Sequence, residues 1–238
     1  MDNEAFLSAI NSSFQAYLKT GARSNEKLKV LHGFIAGALS EKLGQDFKIA
    51  SLGWGEGKEQ IIKGRYINKN VDIVVSRGDN VVAGIAVKFV MSNYAQNSNN
   101  YFENMLGETA NIRCNGIPYF QVLILTQNAP YFENNGTISK IEEITENNLR
   151  KYHVLSADNS DLYFHSPDKT LLYVVKTTVD TKTLIGKNRA SFIDLYAGHS
   201  EFETCAVAGA SFGENIVFND FDKYIEKITR KILSINML

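Results

Sequence analysis

The chain has 238 residues, of which 44% are hydrophobic and 21% charged, a balance typical of a folded globular protein rather than a disordered or fibrous one. This length predicts one large domain, or one domain with an appended subdomain. The formal net charge of −1 excludes a protein whose whole surface binds nucleic acid as a polycation, although it allows one local basic cleft.

Several classes of protein are excluded by what the sequence lacks. No apolar run reaches the roughly 18 positions of a membrane-spanning helix, and the first residues lack the basic-then-apolar order of a signal peptide, so we expect a cytoplasmic protein. Cys114 and Cys205 have no Cys/His spacing, which argues against a disulfide framework or a structural zinc site. An HExxH motif is absent, and neither GWGEG nor GASFG matches a nucleotide-binding loop between a strand and a helix.

The N-terminal part of the chain predicts two helices and a strand. Apolar residues at helical spacing predict a helix over 4–18, which ends before Gly21. A second helix begins after Asn25 or the preceding serine and ends at Gly44. Alternating apolar residues over 47–52 then predict a short strand, which is followed by the glycine-rich segment SLGWGEG.

The middle of the chain predicts a β-hairpin, a helix and a buried strand. Residues 70–76 and 81–90 are rich in β-branched side chains, and they flank turn-forming residues at 78–80. Residues 93–113 predict a helix whose first turns are polar. The continuous apolar run 119–126 predicts a strand buried on both faces.

Beyond Pro130 the predicted elements are less regular. The patterns favour a helix over 137–152, strands over 162–166 and 170–178, and an amphipathic helix over 221–238. No linker or repeat marks a domain boundary.

The order of elements predicts an α/β fold with a mixed central sheet flanked by helices. We expect a core over residues 1–150, including the N-terminal helices. Residues 151–238 would be a C-terminal α+β elaboration packed on that core, or the two parts would form a single domain.

The hairpin brings two polar side chains together. Because side chains alternate along a strand, Lys88 lies opposite the apolar face of its strand. If the connection is a three-residue loop over 78–80, Asp72 lies directly across from Ala86, and Asp72 and Lys88 share one small surface. A two-residue loop would shift the pairing by one residue and separate them.

An aspartate and a lysine on one surface favour a site for a divalent cation and an attacking water. A carboxylate is a hard oxygen ligand for Mg²⁺, and an ammonium can orient the water and offset the charge that develops on a phosphate. The same two residues are also compatible with ordinary solvated positions on a strand, so the pattern alone leaves both interpretations open.

A family resemblance adds to this pattern. The run VDIVV, the hairpin, AVKF, the polar helix and the buried strand resemble the PD-(D/E)xK nuclease superfamily, and within it the type II restriction endonucleases, over roughly residues 26–126. The segment NYAQNSNNYFENMLGETANIR also resembles part of restriction-endonuclease-like bacterial proteins. The resemblance implies a restriction-endonuclease-like fold and a homodimer that cuts double-stranded DNA at a specific site. It also implies Mg²⁺ as cofactor, with Mn²⁺ as a substitute.

The resemblance assigns roles to particular residues. Asp72 matches the metal-binding aspartate, and Lys88 matches the lysine of the (D/E)xK triplet. Ala86 stands where the second acid belongs, so the acid comes from elsewhere, or the protein is inactive, or Ala86 replaces an acid. Glu103, on the following helix, is the first candidate to complete the metal site with Asp72. The other candidate acids are Glu108, Glu41 and Glu59.

Two segments are candidates for DNA contact. Amide side chains beside the site can bond to phosphates or base edges, and they are Asn93, Gln96, Asn97, Asn99 and Asn100. Residues 169–190 are locally basic, and their candidates are Lys182, Lys187 and Arg189. A polar helix start and solvated lysines are the alternatives. The rival function is a nuclease-like module that binds DNA or a protein without cutting.

Overall fold

The structure is a computed structural model that describes residues 2–21, 24–197 and 201–235. The helices in these ranges are α1 (Asn3–Thr20), α2 (Glu26–Leu43), α3 (Tyr94–Arg113), α4 (Glu146–Ser156), α5 (Arg189–Ala197) and α6 (Phe221–Ile235). A 3₁₀ turn spans Thr181–Leu184. None of the described helices is long and apolar enough to cross a membrane.

The described residues also form eleven strands. The strands are β1 (Phe47–Ser51), β2 (Gln60–Lys63), β3 (Asn68–Val71), β4 (Ile73–Arg77), β5 (Asn80–Val90), β6 (Tyr119–Thr126), β7 (Asn128–Phe132), β8 (Ile138–Glu143), β9 (Lys169–Thr177), β10 (Phe202–Thr204) and β11 (Ile216–Phe218). Two pairs, β2–β3 and β7–β8, form separate two-stranded sheets. The β2–β3 pair was not predicted from the sequence.

Seven strands form one mixed sheet in the order β1-β4-β5-β6-β9-β10, with β11 beside the first half of β9. β4 runs antiparallel to β1 and β5, whereas β5, β6 and β9 are parallel to one another. The predicted α/β fold with a mixed central sheet flanked by helices is therefore confirmed. β9 belongs to the predicted C-terminal elaboration, yet it pairs along β6, so this region supplies part of the central sheet.

The two faces of the sheet are covered by different helices. Ile85 of β5 and Phe120 of β6 join a core with apolar residues of α1, α2, α5 and α6. Leu123 and Leu125 of β6 point the other way and pack with residues of α3 and α4. β6 is buried at every position, as predicted. This alternation places α2 and α3 on opposite faces, with the β4–β5 hairpin between them.

The β4–β5 turn differs in length from the predicted one, yet Asp72 still lies across from Ala86 as predicted. Its turn contains two residues, 78–79, instead of three. A β-bulge, with Val82 as the extra residue on β5, shifts the pairing back by one position. Continued by one position beyond Ile73, the register places Asp72 across from Ala86. The predicted separation of Asp72 and Lys88 by a two-residue loop therefore does not occur.

Two predicted elements after Pro130 are wrong in part or in whole. Residues 138–143 form β8, paired with β7, and the helix begins only after Thr145, where a capping box forms. Residues 162–166 form turns instead of a strand, because the Arg113 guanidinium binds two of their carbonyl oxygens at 2.7 and 3.1 Å. The predicted C-terminal helix is confirmed as α6, and positions 236–238 lie outside the described residues.

Candidate active site

A cavity of about 270 Å³ lies between the β4–β5 hairpin and α3. Asp72, Ala86 and Lys88 line it from the hairpin, Glu108 from α3 and Gln121 from β6. Asp72 and Lys88 thus lie on one surface, as the alternation of side chains predicted. Ala86 leaves its part of the wall without a carboxylate.

Asp72 sits where the chain passes from β3 to β4, and its carboxylate is fixed in place. Its Oδ2 accepts a hydrogen bond of 2.7 Å from the backbone N–H of Val87. Burial raises the pKa of Asp72 to about 6; the Val87 N–H opposes this shift, and the nearby Glu108 carboxylate adds to it. A buried carboxyl beside a second acid gains stability from a cation, which is why such groups mark functional sites.

Glu108 is the acid that α3 brings to the cavity. Its Oε1 forms a close ion pair with the Lys69 Nζ from β3. Glu103 is exposed and does not line the cavity. Its charge instead acts on Lys151: burial lowers the pKa of Lys151, and the Glu103 carboxylate opposes that shift. The two glutamates are five residues apart, which turns them about 140° away from each other around the helix. The geometry therefore favours Glu108 over the predicted Glu103 as the acid from α3.

A second set of groups reaches Asp72 from α2. His32 is fully buried, and neither ring nitrogen has a hydrogen-bond partner within the described residues. One ligand atom each from His32, Glu59 and Asp72 lies within 4.8 Å of the other two. Burial lowers the pKa of His32 to about 4, so its imidazole is neutral and can offer a lone pair. Glu41, the predicted acid of this helix, is exposed and lies nine residues from His32, on the opposite side.

Glu59 reaches His32 because the preceding loop lies directly on the backbone of α2. A Cβ on Gly53, whose φ is 76°, would lie 2.1 Å from the Lys29 carbonyl oxygen. A Cβ on Gly33 would lie 2.7 Å from the Gly53 carbonyl oxygen. Only glycine permits this approach. The SLGWGEG segment thus helps to position Glu59, a role that its glycines do not reveal in the sequence.

Three cations, Lys88, Lys27 and Arg189, lie near one another, and of these Lys88 lines the cavity. The Lys88 Nζ lies 4.6 Å from the centre of the Tyr101 ring, which holds it at the cavity wall. Burial lowers the pKa of Lys27, and the charges of Arg189 and Lys88 lower it further. Arg189 donates a hydrogen bond of 2.8 Å to the Tyr17 hydroxyl. These cations from β5, α2 and α5 are close enough to form one positive region.

Some side chains of the predicted amide cluster at the start of α3 make hydrogen bonds within the protein. The Asn93 Nδ2 donates to the Phe132 carbonyl at 2.8 Å, and its Oδ1 accepts from the Phe132 N–H at 3.1 Å. None of the five amides lines the cavity. The other members are Asn97 and Asn99, which hydrogen-bond within the fold, and Gln96 and Asn100, which are exposed.

The predicted basic stretch does not form one continuous surface. The Lys169 Nζ donates to the backbone carbonyl of Glu214 at 2.6 Å. The Lys176 Nζ lies 3.6 Å from a carboxylate oxygen of Glu203. Lys182 and Lys187 are exposed around the 3₁₀ turn. Arg189 is the member that joins the positive region near Lys88.

Comparisons with protein-family models, curated proteins and solved structures found no match to this chain. A functional interpretation therefore depends on the chemistry of the groups around Asp72. That chemistry is a half-buried carboxyl, two further acids, a neutral imidazole and a nearby ammonium.

Proposed function

We propose that the protein is a divalent-metal-dependent endodeoxyribonuclease that hydrolyses DNA phosphodiester bonds at a specific site, as a type II restriction enzyme does. The supporting observation is the convergence of four groups on Asp72: Lys88, Glu108, His32 and Glu59. The proposal includes double-stranded DNA as the partner and a cytoplasmic location. It also includes a homodimer, since two-fold symmetric sites are usually read by two-fold symmetric proteins.

The groups around Asp72 fit a divalent cation. His32 offers buried nitrogens without partners, and its ligand atom lies close to carboxylate oxygens of Glu59 and Asp72. These three residues would hold the ion, with Glu108 on the cavity side. A bound ion lowers the pKa of a water and polarises a phosphate oxygen. Mg²⁺ remains the expected cofactor, and Mn²⁺ should bind more tightly because it accepts an imidazole more readily.

The protein's own residues supply the remaining chemistry. Lys88 places a positive charge at the cavity, where it can attract a phosphate and orient the attacking water. The Val87 N–H keeps the Asp72 carboxylate in one orientation. Glu108 takes the place of the acid that is absent at Ala86, because it faces the same cavity from α3.

Plasmid cleavage tests the proposed activity. We expect supercoiled plasmid to be cut into discrete fragments with Mn²⁺ and with Mg²⁺. Ala86→Glu should retain or raise this activity, because it adds a carboxylate to the cavity wall beside Asp72. If neither the wild type nor Ala86→Glu cuts DNA with either ion, the proposed hydrolysis is wrong.

A second function, DNA binding without hydrolysis, is supported by one observation. Glu108 is paired with Lys69, and Ala86 provides no carboxylate, so the cavity side has fewer free acid groups than hydrolysis would favour. This function predicts that duplex DNA binds and Mn²⁺ binds while the plasmid stays intact.

Metal binding can be tested without DNA. We expect His32→Leu to weaken Mn²⁺ binding by roughly tenfold or more, and to raise the free energy of unfolding in EDTA by about 1–3 kcal/mol because two unpartnered buried nitrogens are removed. Calorimetric titration and urea unfolding measure the two effects. His165→Leu, at an exposed histidine, is the control and should change neither. Unchanged Mn²⁺ affinity in His32→Leu would remove His32 from the site.

A further inference from the structure

The β2–β3 hairpin ends in a turn whose side chains face solvent. We name residues 63–67 the hairpin tip. Tyr66 is 80% exposed and Ile67 is 64% exposed, which is unusual for two adjacent large apolar side chains. Lys63 and Arg65 are exposed beside them. The hairpin tip therefore presents aromatic, aliphatic and basic groups together.

The backbone of the hairpin tip is held rigidly by Asn111 of α3, which is buried. The Asn111 Oδ1 accepts hydrogen bonds from the N–H groups of Tyr66 (2.9 Å) and Ile67 (3.2 Å). Its Nδ2 donates to the Ile67 carbonyl at 2.9 Å, and its backbone carbonyl accepts from the Arg65 N–H at 2.7 Å. Gly64 lies so close that a Cβ would come 2.1 Å from Nδ2. A rigid backbone with exposed side chains is preorganised for binding.

The charge of the hairpin suits a polyanion. Residues 58–70 contain four basic residues and one acidic residue, whereas the whole chain has a net charge of −1. One of the four, Lys69, is paired with Glu108. Lys63 and Arg65 of the hairpin tip remain exposed, where they can neutralise phosphates and release counterions.

The hairpin tip lies beside the candidate active site. β3 runs from the hairpin tip directly into Asp72, and Asn111 lies one helical turn beyond Glu108 on α3. Asp72 follows Ile67 by five positions of extended chain, a span of about 16 Å. That span equals roughly five base pairs along a duplex.

We propose that the hairpin tip reads double-stranded DNA on one side of the bond to be cut. Tyr66 and Ile67 enter a groove and contact bases, and Lys63 and Arg65 contact the flanking phosphates. This inference rests on the proposed nuclease function, which it extends by naming residues that determine the recognised sequence.

The experiment measures DNA binding separately from cleavage. A pool of short, labelled duplexes of random sequence is bound in EDTA, and the bound fraction is sequenced. We expect the double variant Tyr66→Ala/Ile67→Ala to lower affinity about tenfold or more and to relax the preference at positions several base pairs from the cut. Lys63→Ala and Arg65→Ala should each reduce the slope of log affinity against log salt by about 1.

Tyr163→Ala is the matched control. Tyr163 is 49% exposed, and its carbonyl is bound by Arg113 of the same helix end. Positions 111 and 113 point about 160° apart around α3, so this tyrosine lies on the other side. It should bind DNA like the wild type.

Three results would overturn the inference. If the wild type binds no duplex, the proposed function fails together with it. If the wild type binds and cuts DNA and the double variant does so with equal affinity and the same preference, only the role of the hairpin tip is wrong. If the double variant instead converts a dimer into a monomer in light scattering, the hairpin tip contacts a second copy of this chain.

Discussion

Asp72→Asn should abolish metal-dependent cleavage and at the same time make the metal-free protein more stable. The carboxylate that would hold the cation is half-buried near Glu108, and its ionised form is disfavoured in the fold. Asparagine has no charge to bury, and its side-chain oxygen can still accept the hydrogen bond from the Val87 N–H. A residue that costs stability where it stands is expected of a functional site and not of a structural one.

The size of this gain depends on pH in a defined way. The pKa of Asp72 rises from 3.8 to about 6 on folding, so the wild type loses stability as pH rises through that interval. We expect Asp72→Asn to be more stable than the wild type by about 3 kcal/mol at pH 8 and by about half of that at pH 5. His32 is present in both proteins, so its own titration cancels in the comparison.

Urea unfolding in EDTA at the two pH values measures the stability difference, and plasmid cleavage with Mn²⁺ measures the activity. Asp79→Asn, in the exposed hairpin turn, is the matched control and should leave both unchanged. A less stable Asp72→Asn protein at pH 8, or one that still cuts DNA, would contradict the assignment of Asp72.

Lys88→Met should slow cleavage by roughly 10²–10³-fold while duplex DNA still binds. The Lys88 ammonium lies at the cavity that Asp72 and Glu108 line, so its charge acts where a phosphate would be attacked. Methionine preserves most of the apolar stem beside Tyr101 and removes only the charge. Single-turnover cleavage with saturating enzyme separates the rate of the chemical step from DNA affinity.

Lys48→Met removes an exposed lysine from β1 and provides the control. Its cleavage rate should equal that of the wild type. A Lys88→Met rate equal to that of Lys48→Met would show that the ammonium contributes nothing to hydrolysis, and the nuclease proposal would lose its second residue.

The sequence predicted the central part of the site because strand alternation is a local property. The period of two places Lys88 and Asp72 opposite the apolar faces of their segments, and the buried strand β6 was recognisable from its apolar run. Their position on one surface was predicted from a three-residue turn, whereas a two-residue turn together with the bulge at Val82 produces it. The β2–β3 hairpin was missed because its strands, QIIK and NKNV, are short and largely polar. Tertiary contacts with Asn111 hold it, and such contacts leave no periodic signal.

The identity of the supporting acids could not be predicted by counting along the chain. The spacing from Lys88 predicts Glu103, but the rotation of α3 about its axis decides which glutamate faces the cavity. The buried residues Met105, Thr109 and Ile112 set this rotation, because Glu108 lies about 40° from Ile112 around the helix and Glu103 about 180° from it. One signal for His32 was present. It falls between Leu31 and Ile35 on the buried stripe of α2. A polar histidine at such a position indicates a role other than apolar packing.

The bulge at Val82 gives the hairpin a tolerance to changes in length. Which face Asp72 occupies depends on the number of residues between the paired parts of β4 and β5, and the extra residue can reside in the turn or within the strand. An insertion at the turn accompanied by loss of the bulge would leave Asp72 on the same face as Lys88. Variants with turns of different length between β4 and β5 can therefore share one arrangement of Asp72, position 86 and Lys88.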